Sequence, residues 1–211
     1  LAIDHTIVYT KKHYSYCTGP IIINKYYPKI LIVVISADKF SKKDLNENKD
    51  VVQMNKHNVK RWHLEKNNWL NKFKPMQNIN VELIQCDNKL NNSSRINNSS
   101  RINNNSRIKN YPCKNGESYV PGIFNKTILS LKNNINSYDF FVRTNLNTFI
   151  IQTRLTNLLQ NVNKNKFYYN GEGCRDSKGE FTKNSYWVGG YGIILNKKTC
   201  KVLINNCEGK G

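Results

Sequence analysis

The chain has 211 residues, 38% hydrophobic and 11% aromatic, enough for one domain with a full core and too apolar for a disordered segment. No window approaches the roughly 18 uninterrupted apolar residues of a membrane-spanning helix, and no basic stretch leading into an apolar one opens the chain, so no secretory signal is visible. The formal charge is +19, from 33 Lys and Arg against 14 Asp and Glu.

That surplus invites a nucleic-acid partner. Composition offers a competing account. Roughly one residue in six is Asn, far above ordinary usage, and Asn, Lys and Ile share AT-rich codons, so nucleotide bias raises all three without a polyanion. Lys also far outnumbers Arg, whereas base and phosphate readout favours the bidentate guanidinium. Nucleic acid is therefore not the partner expected from charge alone. Cys17, Cys86, Cys113, Cys174, Cys200 and Cys207 form no C-x-x-C pair and no zinc-finger spacing with His, which argues against a zinc site. Reduced, partly buried thiols are expected, and disulfides only in a secretory compartment.

Residues 1–28 read as an arm with two short β-rich runs, at 6–10 and 21–23. The stretch 29–36, Lys-Ile-Leu-Ile-Val-Val-Ile-Ser, is a continuous β-branched run entered through Pro28, the pattern of a central parallel strand. Residues 51–73 predict a helix with Val59, Trp62, Trp69, Leu70 and Phe73 on one face, closed by Pro75. Residues 81–86 predict a second strand. A hexapeptide array follows at 91–108, Asn-Asn-Ser-Ser-Arg-Ile twice and Asn-Asn-Asn-Ser-Arg-Ile once. One aliphatic per unit cannot build a core, so the block 88–110 is expected to be a basic, low-complexity surface insertion. Its Asn-x-Ser triplets are formal glycosylation sequons that such a repeat produces by chance. Arg95, Arg101 and Arg107 could track a polyanion at intervals of six, but are expected to be solvated. Helical spacing returns at Phe124, Ile128, Leu131 and Ile135, a strand at 139–143, a helix at Leu155, Leu158, Leu159 and Val162, and a strand at 166–169. A Gly-rich turn at 189 leading into a strand to 195 and a short helix at 197–205 complete the pattern. Alternating strands and helices predict a layered α/β domain with a mostly parallel sheet.

In such a sheet the ligand lies beyond the carboxyl ends of the strands, in the loops after Ser36, Cys86, Arg143, Asn170 and Leu195. The loop after Arg143 is the most distinctive, an apolar strand running into Arg143-Thr144-Asn145-Leu146-Asn147. It reads as a turn, since Asn is a turn former, and equally as a polar lip facing a ligand. The histidines form no metal pair, with His57 and His63 six apart. Gly171, Gly173 and Gly179 make no dinucleotide fingerprint after a first strand.

Several collinear motifs resemble the β-1,3-galactosyltransferase and Fringe-like glycosyltransferases, including short enzymes of large DNA viruses. They are the first strand ending at Ser36, Arg61 with Trp69 eight residues on, Glu117-Ser118-Tyr119 leading to Lys126-Thr127, Arg143-Thr144-Asn145-Leu146-Asn147, Tyr168-Tyr169-Asn170-Gly171, and Gly190-Tyr191-Gly192 running to Asn196. The resemblance spans residues 29–205 and implies a GT-A-like layered domain with a mostly parallel central sheet flanked by helices. It implies a hexose transferred from a nucleotide sugar, UDP-linked, to a glycan or glycoprotein acceptor. Donor contacts would come from Ser36, Arg61, Lys126, Arg143, Asn145 and Asn147, and acceptor contacts from Trp187, Gly189 and Gly190. In the family an Asp-x-Asp pair holds a divalent cation, usually Mn²⁺; here both positions are amides, Asn145 and Asn147, which puts the metal in doubt. Lys126 and Arg143 would then take over part of the phosphate neutralisation. The family's acidic block, associated with the catalytic base, does not arrive before Gly211, and Glu172 and Asp176 are the substitute candidates. The alternatives are a catalytically dead remnant of the fold and a basic nucleic-acid-binding protein. Opening at Leu1, the chain is expected to be a fragment whose tail, 206–211, is cut short. A membrane partner enters only through a missing N-terminal anchor, and a cytoplasmic setting is favoured over a Golgi-type lumen.

Overall fold

The computed structural model describes residues 26–35, 49–86, 107–112, 122–173 and 187–207. The arm's two β-rich runs, Ser36, Glu117, Ser118, Tyr119, Asp176, Arg95, Arg101, Cys17, Cys113 and Cys174 lie outside the described residues. The sheet starts from β1 (Ile30–Ile35), where every side chain from Ile30 to Val34 is wholly buried. A strand buried on both faces needs a parallel neighbour on each side and a helical layer above and below. Both neighbours are present, with β2 (Ile79–Cys86) and β4 (Phe140–Asn145) running parallel to β1 and starting in register, Ile30 opposite Ile79 and Phe140.

With β3 (Ile108–Tyr111), β5 (Tyr169–Gly173) and β6 (Trp187–Asn196), the six strands lie in the order β3-β2-β1-β4-β6-β5. The fold is thus α/β with a mostly parallel mixed sheet flanked by helices. The departure is β6, which is antiparallel to both β4 and β5. Its Leu195 end therefore lies at the amino ends of the other strands, and the loop expected there to face a ligand sits at the opposite pole.

One face of the sheet packs against α1 (Lys49–Asn67) and α3 (Gln152–Gln160), with Trp62, Trp69, Leu155 and Leu159 over Ile32, Val34 and Val142. The other face packs against α2 (Gly122–Asn134) and α4 (Lys197–Cys207), with Leu131, Cys200 and Ile204 over Leu31, Val33 and Phe141. The residues expected in a cut-short tail from 206 begin inside α4. Cys200 and Cys207 are free thiols, and burial pushes the Cys200 thiol up to about 12.

The helix expected to reach Phe73 changes winding at a π turn, Asn68–Lys72, where Phe73 N–H donates back to Asn68 O at 2.6 Å. The wider winding puts both Trp69 and Leu70 on the buried side. Its terminal carbonyls are served from the repeat array: Arg107 Nη1 lies 2.6 Å from Trp69 O, 3.2 Å from Leu70 O and 2.9 Å from Phe73 O. Arg107 O also accepts from Leu83 N–H at 2.7 Å, and Ile108 opens β3 opposite Leu83. The expectation of a solvated Arg107 is thus corrected, and the last part of the insertion placed at 88–110 belongs to the sheet. The physical reason is that orphan carbonyls at a helix end attract a cationic donor. Asn196 is the matching device for α4. Wholly buried, it caps the helix by accepting from Thr199 N–H at 3.0 Å, while its amide donates to Lys164 O and Lys166 O.

Replacing Arg107 with Ala is expected to destabilise the fold by about 1.5–3 kcal/mol, the range for hydrogen bonds from a charged donor. The readout is a lower urea midpoint at unchanged slope, with Arg107→Lys recovering only part because an ammonium lacks the planar fork. An unshifted midpoint in Arg107→Ala would mean that water serves these carbonyls equally well.

Candidate functional site

The chain leaves β1 to pair β2 on one side and later returns to pair β4 on the other. The adjoining connections pass over opposite faces, α1 on one and α2 on the other. They part at the carboxyl ends of β1 and β4, the topological switch point where an open α/β sheet usually takes its ligand. Asn145, half-buried, stands at that edge opposite Ile35, and β4 extends two residues beyond its expected end at Arg143.

The chain turns immediately, with Thr148 N–H donating to Asn145 O at 3.3 Å. Leu146, inside this turn, is buried, and its carbonyl accepts from Trp69 Nε1 at 2.7 Å. The indole therefore pins the centre of the Asn-x-Asn segment while Asn147 remains exposed. The stretch is a turn, as its Asn content led one to expect, and Trp69 fixes that turn at the carboxyl edge of β4.

Alternation along β4 puts Phe141, Arg143 and Asn145 on the α2 face. In register, Glu82, Val33 and Arg143 form one row across β2, β1 and β4. Ser130 of α2 reaches that row through Glu82, and Lys126, wholly buried, lies one turn earlier on the helix. Since α2 crosses from the carboxyl ends back to the amino ends, that turn, about 5.4 Å, carries Lys126 toward the row of Asn145. Lys126, Arg143 and Asn145 thus share one face and one end. Burial pushes the Arg143 guanidinium below its ordinary value, and the nearby Tyr169 acts in the opposite sense. Arg61 does not join them: it lies half-buried on α1, which packs on the other face.

The expected acceptor residues reach the same end through the backbone. The first part of β6 runs beyond the last pairing with β4, Arg143 opposite Ile193. On the β5 side the partner of Gly171 is Ile193 but that of Glu172 is Val188, so 189–192 bulge from the ladder. The turn expected at Gly189 is therefore a bulge within one strand. Two glycines permit it. Gly192 has φ of +141°, and a Cβ on Gly171 would sit 2.9 Å from Gly192 O. Gly189 and Gly190 lie in this bulge, and Trp187, opposite Gly173, precedes it. Glu172, expected in a loop, is part of β5, with β6 between it and β4.

Sequence reading missed three polar groups in this half of the sheet. Glu82 is buried and accepts from Ser130 Oγ at 2.9 Å, from Asn134 Nδ2 at 3.1 Å and from the Tyr111 hydroxyl at 3.4 Å. Desolvation pushes its carboxyl above the ordinary value, and these hydrogen bonds and the charge of Lys109 oppose the rise only in part. Gln85 and Thr144 are buried on the opposite face near the carboxyl edge, and Gln85 Nε2 and Thr144 Oγ1 have no hydrogen-bond partner. Buried polar atoms left unmade cost about 1–3 kcal/mol each and call for an explanation. The signal for all three was a polar residue inside an otherwise apolar strand.

The lip offers little to a divalent cation: such ions take oxygen ligands and are held best by carboxylates, whereas Asn145 and Asn147 supply neutral amide oxygens, with Arg143 on the same face as Asn145. Among the described residues, no group of three or more His, Cys, Asp and Glu could hold a metal ion. No protein family matches the chain, and neither does any curated protein.

Because the fold favours protonated Glu82, its contribution to stability is fully present below the ordinary carboxyl value and is lost as pH rises through the raised value. The urea midpoint of the native protein is expected to fall across that rise, and Glu82→Gln, which cannot ionise, to flatten it. Parallel pH profiles for the two proteins would show that Glu82 titrates normally.

Proposed function

We propose that this domain is a GT-A-type glycosyltransferase domain that binds a UDP-linked sugar at the carboxyl ends of β1 and β4 and transfers its hexose to a glycan or glycoprotein acceptor. The observation that carries the reading is the Asn145–Thr148 turn, pinned by Trp69 at the switch point, with Arg143 and Lys126 on the face of Asn145. A diphosphate needs cationic or N–H donors, and Arg143, two residues before Asn145 on the same face of β4, is one such cation. Asn145 and Asn147 would hydrogen-bond ribose or sugar hydroxyls, or phosphate oxygens, without a metal between them. The sheet order β3-β2-β1-β4 also serves dinucleotide binding, but the residues after β1 read Ser-Ala-Asp-Lys-Phe, with no glycine to approach a pyrophosphate. The bulge at 189–192 borders the same edge and supports an acceptor position there. A second reading, donor binding without transfer, is favoured by the two amides standing where the resembling family has carboxylates.

Calorimetric titration with UDP and several UDP-sugars, with and without Mn²⁺, tests the reading. Saturable binding that is indifferent to Mn²⁺ is expected. Asn147→Ala, at an exposed position, should weaken it severalfold, and Arg143→Ala by about 10- to 150-fold, the equivalent of one lost charged hydrogen bond. Absence of binding to every nucleotide would overturn the proposal, and binding that requires Mn²⁺ would overturn its metal-free form. Release of free UDP in the presence of glycan acceptors separates transfer from binding alone.

A further inference from the structure

The opposite pole of the sheet, at the amino ends of β1, β2, β4 and β5, carries a different surface. Three segments meet there: 26–29 before β1, 163–168 before β5, and the start of α4. Hydrogen bonds join them, with Asp139 N–H donating to Lys29 O, Lys197 N–H to Asp139 O, and the Asn196 side-chain Nδ2 to Lys164 O and Lys166 O.

Lysines and aromatic rings alternate across this pole. Lys164 Nζ lies 4.5 Å from the Tyr26 ring centre, and Lys198 Nζ lies 4.5 Å from that of Phe167. Lys29, Lys164, Lys166 and Lys198 are exposed. Tyr26, Tyr27 and Phe167 are 41%, 47% and 63% exposed, three rings gathered on one pole. The one carboxylate here among the described residues, Asp139, is occupied, accepting from Lys29 N–H at 2.9 Å. Beside Lys29 opens a cavity of about 280 Å³ lined with amides and hydroxyls from Gln77, Asn78, Asn80, Ser137 and Tyr138.

We propose that this pole is a binding surface for single-stranded nucleic acid. Exposed ammonium groups supply sequence-independent phosphate contacts, and the rings between them offer stacking faces for splayed bases, a combination that suits single strands. Lysine point charges without arginine forks indicate backbone tracking and no base readout. The exposed apolar groups at the pole are flat rings, whereas the exposed aliphatics, Leu64 and Val202, lie along helices. That difference favours stacking over insertion into a lipid surface. The assignment is independent of the donor site at the other pole.

Fluorescence anisotropy of a labelled 20-residue oligo-dT, titrated with the full chain over a range of salt, tests it. Substituting Lys164, Lys166 and Lys198 together by Gln is expected to reduce the log–log salt slope by about 2, at roughly 0.7 per contact on single strands. Phe167→Ala should weaken binding about 5- to 150-fold, as for one lost base stack. A matched triple, Lys56, Lys60 and Lys72 to Gln, removes the same charge from the α1 region and should leave the slope nearly unchanged. Melting curves confirm that each variant folds, and UDP titration of the pole triple keeps this test separate from the donor site. Equal losses in both triples would overturn the proposal by assigning binding to diffuse charge. So would native-like binding by the pole triple, or a pole triple that loses only phosphatidylserine-vesicle binding.

Discussion

The architecture depends on burying β1 on both faces. Each of its five wholly buried side chains contributes about 1.5–3 kcal/mol when removed from water, and that gain requires helices on both sides of the sheet as well as strands at both edges of β1. A chain meeting this requirement must extend the sheet in one direction, return, and extend it in the other. The topological switch point at the carboxyl ends of β1 and β4 is the geometric result. The location of the candidate site therefore follows from the hydrophobic requirement of a six-residue strand, before any site residue is considered.

Polar atoms placed inside this core divide into two groups. Asn196 and Glu82 are satisfied and act as fasteners. Asn196 ties the start of α4 to the segment before β5, and Glu82 ties Ser130 and Asn134 of α2 to the sheet. The second fastener has a consequence for the site, because fixing α2 by its Ser130–Asn134 turn fixes Lys126 one turn above. Gln85 and Thr144 make up the other group, buried near the carboxyl edge with atoms that bond to nothing. A core built only for stability would carry Leu and Val there.

The parts legible in the sequence were those set by local pattern. The run from Ile30 to Ile35 is apolar throughout, which only a central strand accommodates, and the Trp and Leu positions of α1 and α3 fall at helical spacing. The direction of β6 was not legible, because Gly189-Gly190-Tyr191-Gly192 gives the same local signal whether it makes a turn or a bulge. Only pairing with β4 and β5 decides between them. Arg107 is not legible for a related reason: its hexapeptide differs from the two before it only in Asn105 for Ser, and its role comes from the carbonyls of Trp69, Leu70 and Phe73, distant in sequence. At the site, Asn145 and Asn147 stood out as a cluster, while the hold of Trp69 on Leu146 links residues 77 apart and leaves no trace in either segment.

The two poles also account for the amides at the lip. If the donor site proposed for the carboxyl edge holds, its diphosphate would meet Arg143 on the side of Asn145 and amides at Asn145 and Asn147, so the positive charge that a divalent cation would supply has to come from side chains. The cations at the carboxyl edge are buried or half-buried, suited to one small anion in a fixed pose. Those at the amino pole are exposed and alternate with rings, suited to a flexible polyanion whose register is not fixed. Burial, more than sign, separates the two surfaces.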